Sequence, residues 1–331
     1  MDLFSNNNLQ NNNSMKLKLP WVEKYRPSSL EDIILDPFIK EKINKIIETE
    51  NIPNLIVTGH SSTGKTSTIL FIANHIYKTE YSEYVLELNA SDDKGLPIIN
   101  NIIYPFCKKK KDKNKLVILD EADTITSKAQ NLLSNILSEF INTTRFVFIC
   151  NDCTQIIESI QSKCIIIKYP KIDKDNLQTR IEYICKNEKI YYDIGGLNSL
   201  LFVSMEDIRQ IINNLECIYY SFGELTEENV YKLIDKPKIF YINKILDYCL
   251  NNDYNNAFNI VRELCEKGYT PNDILLSFMK YLLDYNTINE EIKLNIYDII
   301  SSSYIIINDN IDSILQLYGC ISNMCLYIQN K

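Results

Sequence analysis

The chain has 331 residues, of which 45% are hydrophobic and 24% are charged, an ordinary globular composition with room for roughly two or three domains. These values exclude a fibrous or wholly disordered protein. The formal net charge of −8 argues against a protein whose whole surface grips nucleic acid, because phosphate contacts are made by Lys and Arg.

The sequence lacks the patterns of a membrane or secreted protein. No stretch reaches the roughly 18 uninterrupted apolar residues that a membrane helix needs, and the N-terminus carries no signal-peptide pattern. The ten cysteines are scattered without a disulfide framework, which is typical of a reducing compartment. We therefore expect a soluble, intracellular protein with free thiols and no membrane partner. Cys150 and Cys153 form a lone C-x-x-C pair, for which thiols at a strand end are favoured over zinc or redox chemistry.

The first part of the chain is predicted to be an arm that leads into a helix. Residues 1–15 are rich in asparagine and have few groups able to form a core, so we expect them to be disordered. In residues 21–27 an aromatic ring and a cation precede a proline, which keeps the chain extended. This segment is either a packed arm or a flat surface for a purine base. Residues 37–50 have isoleucines at helical spacing and predict a helix.

Residues 59–66 fit the phosphate-loop pattern G-x-x-x-x-G-K-[ST] and lie between an apolar strand at 55–58 and a helix at 67–78. The glycines let the backbone curl so that its N–H groups point at an anion, and the positive end of the helix dipole adds to the attraction. Lys65 is predicted to reach the β- and γ-phosphates of ATP, and Thr66 to bind Mg²⁺. The expected ATP-binding residues of the loop are Gly59, His60, Ser61, Ser62, Thr63, Gly64, Lys65 and Thr66.

Two adjacent carboxylates follow the buried strand predicted at 116–119. In a phosphate-loop protein this strand delivers Asp120 to the Mg²⁺ ion and places Glu121 where it can orient or deprotonate the attacking water. An acidic loop after a strand is common on its own. Its position about 60 residues after the phosphate loop makes the catalytic interpretation much more specific.

The remaining strands complete a predicted α/β domain. Strands are predicted at 84–88, 146–150 and 164–169, and a helix with one apolar face at 125–140. Five strands that alternate with helices predict a three-layer domain with a largely parallel sheet, whose ATP site lies at the carboxyl ends of the strands. Asn151, at the tip of its strand, is either a turn residue or a hydrogen-bond partner of the water or the γ-phosphate.

From residue 171 onward the pattern is helical. Gly195 and Gly196 are predicted to be a break, and residues 204–207 to cap a helix that carries Arg209 near its start. Residues 226–229 open another helix before a boundary at 236–237. The part beyond has no chemical motif and predicts a bundle whose purpose is packing. Its amphipathic helices are expected at 242–250, 257–265, 274–283, 292–307 and 311–328.

With these motifs in place, the chain resembles the small subunits of the clamp loader replication factor C, within the AAA+ ATPases. The resemblance is close from about residue 19 to 237 and rests on helical pattern beyond that point. It is carried by six features in the family's order, which are residues 21–27, 59–66, 87–95 and 120–123, Asn151, and residues 206–209. Six features in order are far more specific than any one of them.

The resemblance implies an architecture and a function. An AAA+ P-loop domain at 16–170 is followed by a helical lid at 171–236 and an all-α collar at 237–331. The collar holds a hetero-pentameric ring of clamp-loader subunits. ATP binding closes the ring and opens a PCNA-type sliding clamp, and hydrolysis at primer-template DNA releases the clamp. Such a chain acts in DNA replication, in the nucleus or, for a virus, in a cytoplasmic replication factory.

The resemblance also implies roles for site residues. Tyr25, Arg26 and Pro27 line the adenine pocket. Asn151 senses the γ-phosphate, and Arg209 reaches the site as a second sensor. With the phosphate loop and the acidic pair, these residues form the expected site for ATP and Mg²⁺.

The chain departs from the family at several positions. Where the family has an arginine that enters the neighbouring subunit's ATP site, this chain has Lys163, which keeps the charge and loses the planar fork that bridges phosphate oxygens. Ser134 and Asn135 stand where two arginines are usual, and Lys94 stands where another is usual. These changes, with the acidic net charge, weaken the expected grip on DNA.

Only a few basic residues remain as candidates for contact with DNA. A run of lysines at 108–115, which includes Lys110, is either a solvated loop or a contact with nucleic-acid phosphates. Lys94 and Lys128 are the other candidates.

Three functions are compatible with the sequence. The favoured one is an ATP-hydrolysing clamp-loader subunit. A structural subunit that binds ATP and partners with little turnover is the alternative suggested by Lys163, Ser134 and Asn135. A helicase-type or origin-binding AAA+ protein shares the phosphate loop and the acidic residues, but residues 21–27 and the motif-free collar argue against it.

Overall fold

A computed structural model of the chain describes residues 19–27, 29–30, 32–91, 96–234, 237–285, 288–309 and 313–329. The predicted arm at 1–15, Lys94, and Lys236 at the predicted boundary lie outside the described residues. None of the helices in the described ranges combines the length and the apolar character that crossing a bilayer requires.

The described residues fall into two compact units. One contains the residues up to 190 together with 204–217, and the other contains 191–203 together with the residues from 218 onward. The chain therefore passes between the units three times. The proposed division into an AAA+ domain, a lid and a collar stays a prediction.

The first unit is built on a five-stranded sheet in which every pairing is parallel. Its strands are β1 (Leu55–Gly59), β2 (Val85–Asn89), β3 (Lys115–Asp120), β4 (Thr144–Cys150) and β5 (Ile165–Tyr169), in the order β2-β3-β4-β1-β5. The α/β fold and all predicted strands are confirmed, with small shifts at the strand ends.

Alternate residues of each strand enter opposite faces of the sheet. Leu55 and Val57 of β1 belong to the core on one face, while Ile56 belongs to the core on the other. Both faces of the central strands β1, β3 and β4 are covered, so these strands are buried along nearly their whole length and largely apolar. The edge strands β2 and β5 have exposed positions, among them Glu87 and Lys168. The helices of this unit are α1 (Trp21–Lys24), α2 (Pro37–Thr49), α3 (Lys65–Tyr77), α4 (Tyr81–Tyr84), α5 (Leu96–Ile98), α6 (Tyr104–Lys108), α7 (Ser127–Glu139), α8 (Glu158–Gln161) and α9 (Lys174–Glu188).

Helices α5 and α6 form one continuous rod with a wide turn in its middle. The segment Ile99–Ile103 is a π-helix, and the N–H of Tyr104 donates to the carbonyl of Ile99. Pro105 follows directly, and a proline inside a regular helix lacks its N–H and collides with the carbonyl four residues earlier. We attribute the wide turn to this proline, because a π-turn displaces that carbonyl.

The second part of the chain is helical, as predicted. Its elements are β6 (Tyr191–Tyr192), α10 (Ile194–Val203), α11 (Ile208–Phe222), β7 (Glu224–Leu225), α12 (Glu227–Leu233), α13 (Ile239–Leu250), α14 (Tyr254–Glu266), α15 (Pro271–Asp284), α16 (Glu290–Asn308) and α17 (Ile314–Gln329). The five helices expected after the predicted boundary are confirmed, and they share one core that includes Ile242, Val261, Leu282 and Ile300. The short parallel pair of β6 and β7 has no counterpart in the sequence prediction.

The predicted break at Gly195 and Gly196 is wrong, because both residues lie inside α10. Asp193 caps this helix by accepting a hydrogen bond from the N–H of Gly196. A Cβ at Gly196 would lie 2.5 Å from the carbonyl oxygen of Leu225. The glycine is therefore required for close backbone approach between α10 and β7, and it does not end a helix.

Candidate active site

The phosphate loop lies between the end of β1 and the start of α3. A Cβ at Gly59 would lie 2.5 Å from the carbonyl oxygen of Tyr169, so only glycine fits at the end of β1. Lys65 begins α3 and is only 7% exposed. Its Nζ donates to the carbonyls of Gly59 and His60 at 2.7 and 2.6 Å and to Asn151 Oδ1 at 3.0 Å. Burial lowers the pKa of this ammonium.

The acidic pair lies at the end of β3, two strands away from β1. The Thr66 hydroxyl donates to Asp120 Oδ2 at 2.9 Å, which joins the phosphate loop to this strand. A hydroxyl and a carboxylate are the hard oxygen ligands that Mg²⁺ prefers, so these two residues fit a magnesium site. Glu121 is exposed and has a left-handed backbone with φ of 53°, and this turn directs the chain away from the sheet directly after Asp120.

Asn151 follows β4, the strand between β3 and β1. Its side-chain oxygen faces Lys65, and its backbone N–H donates to Asp123 Oδ2 at 2.9 Å. The chain bends at Asn151 after β4, and the contact of its side chain with the water or the γ-phosphate stays a prediction. Sequence reasoning missed the role of Asp123, which was recognised only as part of a motif and which fixes the backbone at Asn151.

These residues line a cleft of about 480 Å³, a volume that suits a small-molecule ligand. The cleft brings together most of the residues predicted for the ATP site, namely Tyr25, Arg26, Pro27, Ser61, Ser62, Thr63, Gly64, Lys65, Thr66, Asp120, Glu121, Asn151 and Arg209. Apolar side chains, including Ile33 and Ile172, complete its wall. Gly59 and His60, which were also predicted, are not among the residues that line the cleft, but their carbonyls accept hydrogen bonds from Lys65. The guanidinium of Arg209 makes no hydrogen bond or ion pair with any described residue.

The Tyr25 side chain is held from behind by helix α9. Its hydroxyl donates to Glu188 Oε1 at 2.5 Å, and Arg180 donates to its backbone carbonyl at 2.8 Å. The ring contacts Trp21 edge-on, with centroids 6.3 Å apart. Burial raises the pKa of the Tyr25 phenol, and Glu188 adds to the increase, so the hydroxyl stays a donor. The packed arm and the surface lining the cleft are thus the same segment.

Lys163 does not line the cleft of its own chain. It lies between α8 and β5, and its Nζ donates to the Ser134 carbonyl at 3.0 Å, the Ser134 hydroxyl at 2.9 Å and the Ser138 hydroxyl at 2.7 Å. Ser134 is one of the positions where the family usually has arginine. The two departures from the family pattern are therefore in direct contact.

The lysine run at 108–115 is not a uniform basic loop. The expectation of a solvated or DNA-binding residue is wrong for Lys115, which is 1% exposed. Its ammonium donates to the carbonyls of Phe106, Cys107 and Lys109 at 2.8, 2.5 and 2.5 Å. It thereby caps the carboxyl end of α6, where backbone carbonyls lack helical partners and attract a cation.

The lysines at 108–111 and 113 are all exposed, and two of them form ion pairs at the surface. Lys111 pairs with Glu83, and Lys113 pairs with Glu80. Lys110 is exposed, as is Lys128 near the start of α7. Lys110 and Lys128 stay predictions as DNA contacts.

The class of the protein follows from this site and from comparison with known proteins. Residues 55–170 match the family profile of the ATPases associated with various cellular activities. The fold is similar to that of a RuvB Holliday junction branch migration motor from Thermotoga maritima, with a TM-score of 0.54 and 14% identity over 68% of this chain and 78% of that chain. The chain is an AAA+ ATPase with a nucleotide-binding P-loop.

The family within this class is equally clear. Residues 237–323 match the replication factor C C-terminal domain. A replication factor C small subunit of Acanthamoeba polyphaga mimivirus is 37% identical over 95% of this chain and 99% of its own length. Replication factor C subunit 4 of Saccharomyces cerevisiae is 34% identical over 94% and 97%, and human subunit 5 is 40% identical over 78% and 77%. The chain belongs to the replication factor C small-subunit family.

Proposed function

We propose that this chain is an ATP-hydrolysing subunit of a clamp loader, which opens a PCNA-type sliding clamp and loads it onto primer-template DNA during replication. Family membership supports the biological role. The single observation that carries the enzymatic role is the convergence of Lys65, Thr66, Asp120, Glu121 and Asn151 at the carboxyl ends of three adjacent strands.

ATP binding is assigned to the loop and the N-terminal segment. Lys65 exchanges its contacts with the carbonyls of Gly59 and His60 for the β- and γ-phosphate oxygens, and the amides of the loop bind the same phosphates. Tyr25, Arg26 and Pro27 bind the adenine. Because Lys65 is already held within the curl of the loop, little side-chain entropy is lost when the triphosphate binds.

Magnesium binding is assigned to Thr66 and Asp120, whose oxygens are 2.9 Å apart. A bound Mg²⁺ neutralises charge on the β- and γ-phosphates. Each of these two residues is fixed by the element that carries it, since Thr66 lies in the first turn of α3 and Asp120 ends β3. The pair therefore requires little rearrangement to hold the ion.

The hydrolysis step is assigned to three side chains around the cleft. Glu121 orients the attacking water and accepts its proton, since its carboxylate is exposed at the mouth of the site. Asn151 contacts the γ-phosphate or the water, and Arg209 stabilises charge on the transferred phosphoryl group. The ring of subunits, held by the collar at 237–331, brings the clamp and the DNA to this motor.

A structural subunit with little turnover is the second candidate, and the contacts of Lys163 favour it. A side chain bound to Ser134 and Ser138 of its own chain must leave three acceptors before it can reach a neighbouring ATP site. Arginine fingers contribute about 10³- to 10⁵-fold to phosphoryl transfer, and lysine cannot reproduce their planar fork. We infer that the neighbouring site hydrolyses ATP slowly, or that this chain occupies a ring position where no arginine from it is needed for catalysis.

The deciding experiment is the ATPase rate of the assembled complex, with clamp and primed DNA, for the native chain and Glu121→Gln. Hydrolysis at this site should fall by roughly 10²-fold or more, while ATP binding is retained. The ATPase rate of the whole complex should therefore fall by at least the part that this site contributes. Glu48→Gln makes the same chemical change at an exposed position on α2 and should have no effect. An unchanged rate in Glu121→Gln would establish the structural role instead.

A further inference from the structure

One carboxylate joins the phosphate loop to the start of helix α11. Asp207 Oδ2 accepts a hydrogen bond from the Ser61 hydroxyl at 2.9 Å. Its Oδ1 accepts from the backbone amides of Arg209 and Gln210 at 2.9 and 3.3 Å. Within the described part of the chain, no other residue of this helix or of the turn before it hydrogen-bonds the phosphate loop. The side chain is both the cap of α11 and its direct connection to the loop.

The backbone before Asp207 has a conformation that helix capping does not require. Met205 and Glu206 are both left-handed, with φ of 53° and 60°, which is unfavourable for residues other than glycine. An N-cap residue usually has extended backbone itself, and capping does not require left-handed residues before it. The turn is held because the N–H of Asp207 donates to the Ser204 carbonyl at 3.1 Å, and the buried Ser204 hydroxyl accepts from Asn214 at 2.9 Å. The turn thus directs the carboxylate toward the loop.

Asp207 also carries a negative charge beside a site for phosphates, and unlike Asp120 and Glu121 it has no place in the proposed magnesium site or hydrolysis step. Burial raises the pKa of Asp207, but hydrogen bonds from the loop and from the helix start outweigh burial and hold the pKa below its ordinary value. The carboxylate is therefore ionised at neutral pH, and an anion beside the phosphate loop weakens phosphate binding in itself. A residue that served only affinity for ATP would not place a negative charge here.

We propose that Asp207 is a positioning residue that couples the phosphate loop to Arg209, so that the guanidinium discriminates ATP from ADP only while the bond between Ser61 and Asp207 is intact. Arg209 lies two residues after Asp207 on the same helix start and lines the same cleft. A loop that closes on a triphosphate displaces the Ser61 hydroxyl, and the carboxylate carries this displacement to α11. The inference rests on the proposed ATP-binding function.

The test measures dissociation constants of ATP and ADP, with Mg²⁺, for the full chain and for Ser61→Ala, Asp207→Ser and the double variant. Serine keeps the helix cap but is too short to reach Ser61. Each single variant should lower the ratio of the ADP to the ATP dissociation constant about fivefold or more, and the double variant should lower it no further. Asp207→Asn keeps both contacts through its amide and should retain most of the ratio.

Several outcomes would overturn the proposal. An unchanged ratio in Asp207→Ser, at an unchanged unfolding temperature, would make Asp207 a helix cap only. If the reductions of the ratio in the two single variants multiply in the double variant, the two side chains act independently. If the native chain binds ATP and ADP equally well, Arg209 does not discriminate between them and the proposal is wrong. If Asp207→Ser does not fold, an unchanged ratio in the Ser61→Ala, Ser62→Ala variant is decisive against it, because the hydroxyls of both serines act on the Asp207 carboxylate.

The proposal and the proposed function fail separately. Glu121→Gln should abolish hydrolysis at this site and leave the ratio of dissociation constants unchanged. If hydrolysis persists in Glu121→Gln, the enzymatic proposal is wrong, while the binding ratios of the Ser61 and Asp207 variants still decide whether the loop and Arg209 are coupled.

Discussion

The buried ammonium of Lys115 gives a quantitative test of how the first unit is held together. In Lys115→Met the stem keeps its length, but the carbonyls of Phe106, Cys107 and Lys109 lose their donor. A hydrogen bond from a charged group contributes about 1.5–3 kcal/mol to stability. The variant also no longer buries an ammonium ion, and this gain offsets much of the loss of the three bonds. We expect a net decrease of about 2–4 kcal/mol in the free energy of unfolding.

The sequence provides a probe for this measurement. Trp21 is its one tryptophan and is buried in the same unit, so its fluorescence follows the unfolding of that unit. With a urea slope of about 2 kcal/mol per M, the midpoint should fall by about 1–2 M. Lys113→Met is the matched control, because Lys113 is exposed and pairs only at the surface, where ion pairs contribute little. Equal midpoints for the two variants would refute the capping role of Lys115.

Three further predictions concern other parts of the chain. Gly196→Ala should destabilise the protein by about 1–3 kcal/mol, because the new Cβ would clash with a backbone carbonyl. Gly195→Ala is the control and should not destabilise it, since the nearest atom to its Cβ is 3.4 Å away. Thermal unfolding followed by circular dichroism measures both. Lys163→Arg should raise the ATPase of the neighbouring subunit by about tenfold or more, and no change would exclude this position as a finger. Burial raises the pKa of Cys107 to about 11, so iodoacetamide at about pH 8 should alkylate the exposed Cys217 before Cys107. Mass spectrometry measures the two rates, and equal rates would contradict the burial of Cys107.

The sheet and the centre of the site could be predicted because both follow local patterns. The central strands are buried on both faces and contain continuous apolar runs, such as residues 116–119 and 146–150, which are visible in the sequence. The phosphate loop has a fixed spacing, and the carboxyl ends of parallel strands meet at one edge of the sheet. These rules alone place Lys65, Asp120 and Asn151 together at one edge of the sheet.

The errors and omissions come from contacts that depend on where distant elements end. Lys115 stands in a run of lysines and looks solvated, but its burial depends on where α6 ends in space. Gly196 looks like a helix breaker, yet its environment is set by a strand that comes later in the chain. The bond between Ser61 and Asp207 joins segments far apart in sequence, and only the cap at Asp207 had a local signal. Tertiary contacts of this kind leave no periodic trace in a sequence.

The strand order also determines when the nucleotide site can form during synthesis. Leu55 of β1 pairs with Val147 and Ile165, so the strand that carries the phosphate loop has no partner until the chain has been made well beyond β3. By contrast, β2, β3 and β4 are consecutive neighbours and can pair as they emerge. Closing so large a loop is slow, and an apolar central strand without neighbours is prone to aggregate. The nucleotide site can therefore form only after β4 has been made, and a nucleotide that binds the folded site stabilises only molecules that have passed this stage.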